Sequence, residues 1–144
     1  MIKKLSGILM VALLVIVGTF GGQASAQTGS AGTCGVTVWN DATTYGTGAS
    51  TVDWKASKGS SCGTVYYKMK IYQVGDGSVA IGYQTSGSFA SATPVKSVPI
   101  STIKSMTPYP GSGAETYKIV VELYSSSSYA TKLGSATSLL FYIN

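Results

Sequence analysis

The 144 residues contain no histidine and no arginine, only five acids and only two cysteines. Without an imidazole there is no base for a histidine-dependent acyl-transfer triad, and a zinc site loses its usual nitrogen ligand. Without arginine there is no guanidinium fork to read phosphates or base edges, so nucleic acid is not an expected partner. The acids are Asp41, Asp53, Asp76, Glu115 and Glu122, too scattered for a D-x-[DN]-x-[DN]-G calcium loop. Glycoside hydrolysis needs two carboxylates about 5–9 Å apart. Only Asp41 and Asp53 could face one another, and they read first as a turn-forming aspartate and a solvated strand charge rather than as a catalytic pair. Glycines number 18, yet none forms a phosphate-cradling G-x-x-x-x-G-K-[ST] or G-x-G-x-x-G loop. The expectation is a protein without catalytic residues, cofactor or metal.

Long apolar runs are also missing, except near the start. Met1-Ile2-Lys3-Lys4 is a short basic opening, Ile8–Val17 is uninterrupted apolar sequence, and Ala24-Ser25-Ala26 supplies small residues before Gln27. That order predicts a secretory signal peptide over residues 1–26, with residues 27–144 as a single domain. The run breaks at Gly18, short of the roughly 20 residues that a membrane-spanning helix needs. Cys34 follows Ala31-Gly32-Thr33, which is unsuited to lipid attachment, and the C-terminus carries no basic tail. The mature form is therefore expected to be secreted, with no membrane anchor. Losing Lys3 and Lys4 leaves eight lysines against five acids, so the net charge falls from +5 to +3.

In an oxidising compartment Cys34 and Cys62 are expected to pair. Beyond Gln27 the recurrent pattern is alternation over five to nine residues rich in Val, Ile, Thr and Tyr, bounded by Gly, Ser, Pro and Asp. It predicts about seven strands, near Gly35–Trp39, Thr51–Lys55, Thr64–Val74, Ser78–Gln84, Val95–Ile103, Thr116–Tyr124 and Ala136–Ile143. Gly75-Asp76-Gly77 reads as a hairpin turn. Pro94 and Pro99 cannot donate to a central ladder, which makes the fifth strand an edge or a bulged strand. The fold class is all-β, a single antiparallel β-sandwich with one disulfide, and Trp39 and Trp54 are candidate core anchors.

Gly111-Ser-Gly-Ala-Glu-Thr-Tyr117-Lys-Ile-Val-Val-Glu-Leu123 resembles the sixth strand of bacterial immunoglobulin-like and fibronectin-type modules: a turn, a tyrosine, then alternating apolar residues. Lys132–Ile143 resembles their closing strand. The resemblance implies an immunoglobulin-like sandwich in which the hydroxyl of Tyr117 ties back to upstream backbone. Cys34 and Cys62 do not match the antibody bridge between the second and sixth strands, so the staple is a local variant. Fold resemblance of this kind implies no particular activity.

A period of two along the third strand sends Val65, Tyr67, Met69 and Ile71 inward and Tyr66, Lys68, Lys70 and Tyr72 outward. In the sixth, Tyr117, Ile119, Val121 and Leu123 go in, while Lys118, Val120, Glu122 and Tyr124 go out. In the last, Leu139, Phe141 and Ile143 are expected inside, with Leu140 and Tyr142 outside. The third, sixth and seventh strands are neighbours in immunoglobulin-like sheets. Tyr66, Lys68, Lys70, Tyr72, Lys118, Tyr124 and Tyr142 then pool into one binding face. Aromatic rings interleaved with ammonium groups suit an anionic cell-wall polymer, a polysaccharide or an acidic protein at the cell envelope. Such residues also serve as cross-strand pairs and edge guards. Two other roles fit the sequence. One is a self-assembling matrix protein, to which Leu139–Ile143 would contribute a pairing segment. The other is a secreted toxin or protease inhibitor acting through the Asn40–Gly46 and Ser125–Ser128 loops. Oligomeric state is left open.

Overall fold

Alternation of apolar and polar residues produces two sheets whose apolar sides face each other. The computed structural model describes residues 34–59, 61–75 and 77–144 together with the backbone of residues 25–29. The predicted signal peptide thus lies outside the described residues, except where Ser25 and Ala26 open the first strand. In chain order the elements are β1 (Ser25–Gly29), β2 (Val36–Asn40), β3 (Thr44–Tyr45), β4 (Thr51–Lys58), β5 (Val65–Val74) and β6 (Ser78–Phe89). There follow β7 (Lys96–Pro99), α1 (Ile100–Met106), β8 (Glu115–Tyr124), β9 (Lys132–Thr137) and β10 (Phe141–Ile143).

One sheet has the order β1-β2-β4-β7; the other runs β3-β10-β8-β5-β6, with β9 also pairing to β8. Every pairing is antiparallel except β10 with β3, which is parallel. Val36 and Val38 of β2 and Val52, Trp54 and Ala56 of β4 are buried from one side. Val65, Tyr67, Met69 and Ile71 of β5 and Ile119, Val121 and Leu123 of β8 are buried from the other. Tyr67 joins the layers, with its ring 5.9 Å from that of Trp54 and 5.9 Å from that of Phe89. Phe141 stacks on Tyr117 at 5.8 Å and meets Tyr45 edge-on at 5.6 Å. Cys34 and Cys62 are bonded, with Cα atoms 5.3 Å apart, and tie the entry of β2 to the connection that leads into β5. Closing a loop with a sequence separation of 28 stabilises by about 3–4 kcal/mol in the chain-entropy model.

The strand pattern holds for β2, β5 and β8, and the β5–β6 hairpin closes with Val74 opposite Ser78. The fifth predicted strand lies at a sheet edge, as its prolines require. It is shorter than the alternation suggests, because a helix begins at Ile100. Ile100 and Ile103 are three apart and both buried, so the same residues satisfy a helical period. The helix stops at Thr107, whose ψ of 118° is the extended conformation favoured before a proline, here Pro108. The predicted last strand is in fact two, β9 and β10. Between them Ser138 donates its N–H to the Ile119 carbonyl at 2.8 Å, and its Oγ accepts the Ile119 N–H at 3.0 Å. The chain then steps outward, leaving Leu139 exposed rather than in the core. Of the two tryptophans Trp54 is fully buried, whereas Trp39 lies partly exposed on the outer side of the first sheet with Lys55 Nζ 5.9 Å from its ring.

Candidate functional site

The outer face of the β10-β8-β5-β6 sheet carries the predicted residues in ordered rows, because the registers align their side chains. Ser88, Tyr66, Tyr124 and Lys132 form one row; Ser86, Lys68, Glu122 and Ser135 the next; Gln84, Lys70, Val120 and Thr137 a third. Further along, Tyr72 is paired with Lys118, and Thr116 with Tyr142. At about 3.4 Å per residue, the eight steps from Thr116 to Tyr124 put Tyr142 roughly 27 Å from the Tyr66 end. The seven predicted residues therefore share a face but not one spot.

At the Tyr66 end the groups interlock. Glu122 accepts from Lys132 Nζ at 2.7 Å, Lys70 Nζ at 3.2 Å and the Tyr124 hydroxyl at 3.3 Å. Hydrogen bonding from Lys132 first, then from Lys70, holds the Glu122 carboxyl below the usual carboxylate range. Lys70 is raised by the same bond. Lys68 Nζ lies over two rings, 4.7 Å from Tyr129 and 5.6 Å from Tyr124, and those rings meet edge-on at 5.3 Å.

Tyr124 is the correction to the predicted face. It lies on the outer side but is only 9% exposed, because the Tyr129 ring packs on it. Its hydroxyl is accordingly held above its ordinary value by burial and then by the Glu122 charge. Tyr129 was missed because it belongs to a loop, to which strand alternation assigns no face. It is the one described non-glycine residue with positive φ, at 55°. Its N–H donates to the Ser126 carbonyl at 3.1 Å, and Ser125 N–H to Thr131 at 3.1 Å, so the β8–β9 turn is a tight hairpin that throws the ring back over the sheet. A left-handed tyrosine is strained, and no glycine or asparagine marks the position. At the other end, Lys118 Nζ sits 5.9 Å from the Tyr72 ring, and Tyr142 is 41% exposed.

The remaining polar groups hold the scaffold. Asp41 and Asp53 are brought together through backbone, with Asp41 N–H donating to the Asp53 carbonyl at 3.0 Å, while Asp41 Oδ1 accepts from the Tyr45 hydroxyl at 2.5 Å and from the Asp53 N–H at 3.0 Å, which locks the β2–β3 turn. The Asn40–Gly46 segment is thus pinned, with Asn40 and Tyr45 buried and β3 inside it. The Tyr117 hydroxyl ties back to a side chain rather than to backbone: it lies 2.8 Å from Thr107 Oγ1 and donates to Glu115 Oε2 at 2.6 Å. Burial, then the Glu115 bond, pushes Tyr117 up to about 12. Among the described residues no three His, Cys, Asp or Glu side chains converge as metal ligands, and no helix is long and apolar enough to cross a membrane.

Two facing sheets, a buried tyrosine on the sixth strand of the predicted set and a broad outer face define an immunoglobulin-like β-sandwich module. The model of the YqgA MG2 macroglobulin domain family matches residues 22–144, and the chain belongs to that family. Comparison with curated proteins and with solved structures gives no match.

Proposed function

We propose that this domain is a secreted, non-catalytic binding module that holds an anionic polymer of the cell envelope or extracellular matrix on the outer face of its larger sheet. The observation that carries this reading is a charge excess fixed in place. Lys68, Lys70, Lys118 and Lys132 share the face with a single acid, Glu122, and two of the four ammonium groups stand over tyrosine rings. Ordered lysines pay less entropy on meeting an anion than free ones do. Tyrosine rings offer flat apolar area for sugar rings, with a hydroxyl that keeps a polar end. The rows follow one another along the strands, a shape that suits an extended chain rather than a small molecule. The cleft beside Gln73, Val79 and Tyr109 at the hairpin end is about 360 Å³, near the lower limit for ligand pockets.

Retention on purified cell walls and on an acidic polysaccharide tests the proposal, comparing wild type with a Tyr66→Ala/Lys68→Ala/Tyr72→Ala variant. Wild-type binding should weaken as salt rises, because partly exposed charges are screened within about 8–10 Å. The triple variant should bind roughly tenfold less tightly or worse, in line with loss of several contacts of about 0.5–1 kcal/mol each. Equal retention of the two proteins would overturn it.

A further inference from the structure

We propose that β6 is a self-association edge, through which two copies of this chain pair antiparallel across a twofold axis at Ser86. β6 is the outermost strand of the larger sheet and runs for 12 residues, SVAIGYQTSGSF, with no charge and no proline. Exposed edges are ordinarily guarded by lysine, proline or brevity, and the other described edges are short or carry such guards, β1 at five residues among them. β7 has four residues and carries Lys96 and Pro99; β3 has two residues; β9 opens with Lys132. Of the described edges β6 alone is long and free of both charge and proline, although β5 beside it carries Lys68 and Lys70.

The register follows from the strand's own irregularity. Between Gln84, opposite Lys70, and Ala80, opposite Tyr72, the pairing slips, and Gly82 there has a φ of 87°. Regular strand therefore runs from Tyr83 to Phe89, and the middle of that segment is Ser86. Antiparallel self-pairing about Ser86 sets Ser86 against its own copy, Gln84 against Ser88, Thr85 against Gly87 and Tyr83 against Phe89. Each pair is complementary: hydroxyl or amide to hydroxyl on the exposed side, large to small and ring to ring on the inner side. A twofold contact must be self-complementary in this way. The lysines of β5 remain two neutral strands away from their counterparts, so their repulsion is weak and screened. The partner is therefore a second copy rather than a charged peptide, for which the edge offers no opposite charge. The result is one continuous sheet carrying two outer faces side by side.

Sedimentation equilibrium of the disulfide-intact protein, without any polymer, reads the association independently of the binding proposal. A concentration-dependent dimer is expected. Ser86→Lys, an exposed change that sets two ammonium groups together on the axis, should weaken it roughly tenfold or more while far-UV circular dichroism shows the strand content retained. Cysteine pairs read the register. Ser86→Cys should cross-link with itself faster than the control Ser105→Cys on α1. Gln84→Cys should cross-link only when mixed with Ser88→Cys. A monomer at all concentrations, a dimer indifferent to Ser86→Lys, or self-linking of Gln84→Cys would each overturn the proposal.

Discussion

Lys68 Nζ stands 4.7 Å from the ring centroid of Tyr129, and the same ring closes edge-on over Tyr124 at 5.3 Å. A side chain from the β8–β9 turn thereby finishes a surface that the strands begin. The backbone at Tyr129, with φ of 55°, costs roughly 1–2 kcal/mol for a residue other than glycine. The ring returns about 0.5–1.5 kcal/mol as an aromatic pair and about 0.5–1 kcal/mol under the ammonium group.

These terms nearly cancel, which gives the first prediction. Tyr129→Gly should unfold in urea within about 1 kcal/mol of wild type, since strain and contacts are lost together. Tyr129→Ala keeps the strain while losing the ring, and should be about 1 kcal/mol less stable than the glycine variant. Both should release Tyr124 to solvent, which quenching of tyrosine fluorescence by iodide would register. Equal stability of the two variants would mean that the turn is not held in the left-handed conformation.

Glu122 separates the charge balance of the face from its shape. Its carboxyl is held low by Lys132 and Lys70, so its stabilising effect is present above the usual value of 4.5 and is lost as pH falls through the lower folded value. Glu122→Gln should therefore lose less stability than wild type on acidification below about pH 4.5, measured by melting at a series of pH values. At neutral pH the same variant frees Lys70 and Lys132, and should bind anionic polysaccharide more tightly at low salt. Weaker binding would indicate that the ordered lysines matter more than their net charge.

How far the sequence reaches can be judged residue by residue. Alternation alone assigned the inner and outer sides of β5 correctly, because a sheet with one buried face leaves its period of two in the sequence. It also assigned Tyr117 to the core. It failed where another element decides the outcome. Ile100 and Ile103 satisfy two periods at once, and only the proline positions and the buried face of α1 choose helix. Leu139 is apolar but falls where the chain leaves β8, so its hydrophobicity goes unused. Tyr124 points outward as its parity demands, yet a loop residue covers it. Tyr129 carried no signal at all, since a left-handed turn position is ordinarily read from glycine or asparagine. Faces were legible; what folds over them was not.

Tyr117 predicts alkaline behaviour. Its phenol is pushed up to about 12 by burial and by the Glu115 bond, against an ordinary 10.0. Above pH 10 the unfolded chain gives up that proton while the folded chain keeps it. Stability is thus fully present below pH 10 and falls as pH rises towards 12. In Tyr117→Phe this decline should be shallower, even though the variant starts less stable for want of the hydroxyl's contacts with Glu115 and Thr107. Urea unfolding at pH 8, 10 and 11 would give the slopes; parallel slopes in the two proteins would exclude Tyr117 as the group concerned.

Gly87 tests how tightly the edge strand is fitted to the core. A Cβ at this position would lie 3.0 Å from both Cε1 and the hydroxyl of Tyr67 and 3.2 Å from Cζ. Tyr67 is 1% exposed and is held between Trp54 and Phe89, so its ring has nowhere to retreat. Gly87→Ala should accordingly destabilise by about 1–3 kcal/mol, the range for overpacked cores. Ser88→Ala, its exposed neighbour, should stay within about 0.5 kcal/mol of wild type. If alanine at 87 is instead tolerated, β6 has room to move away from β5 at this point. The close fit between the strand's inner side and the Tyr67 ring would then not be what fixes the edge in place.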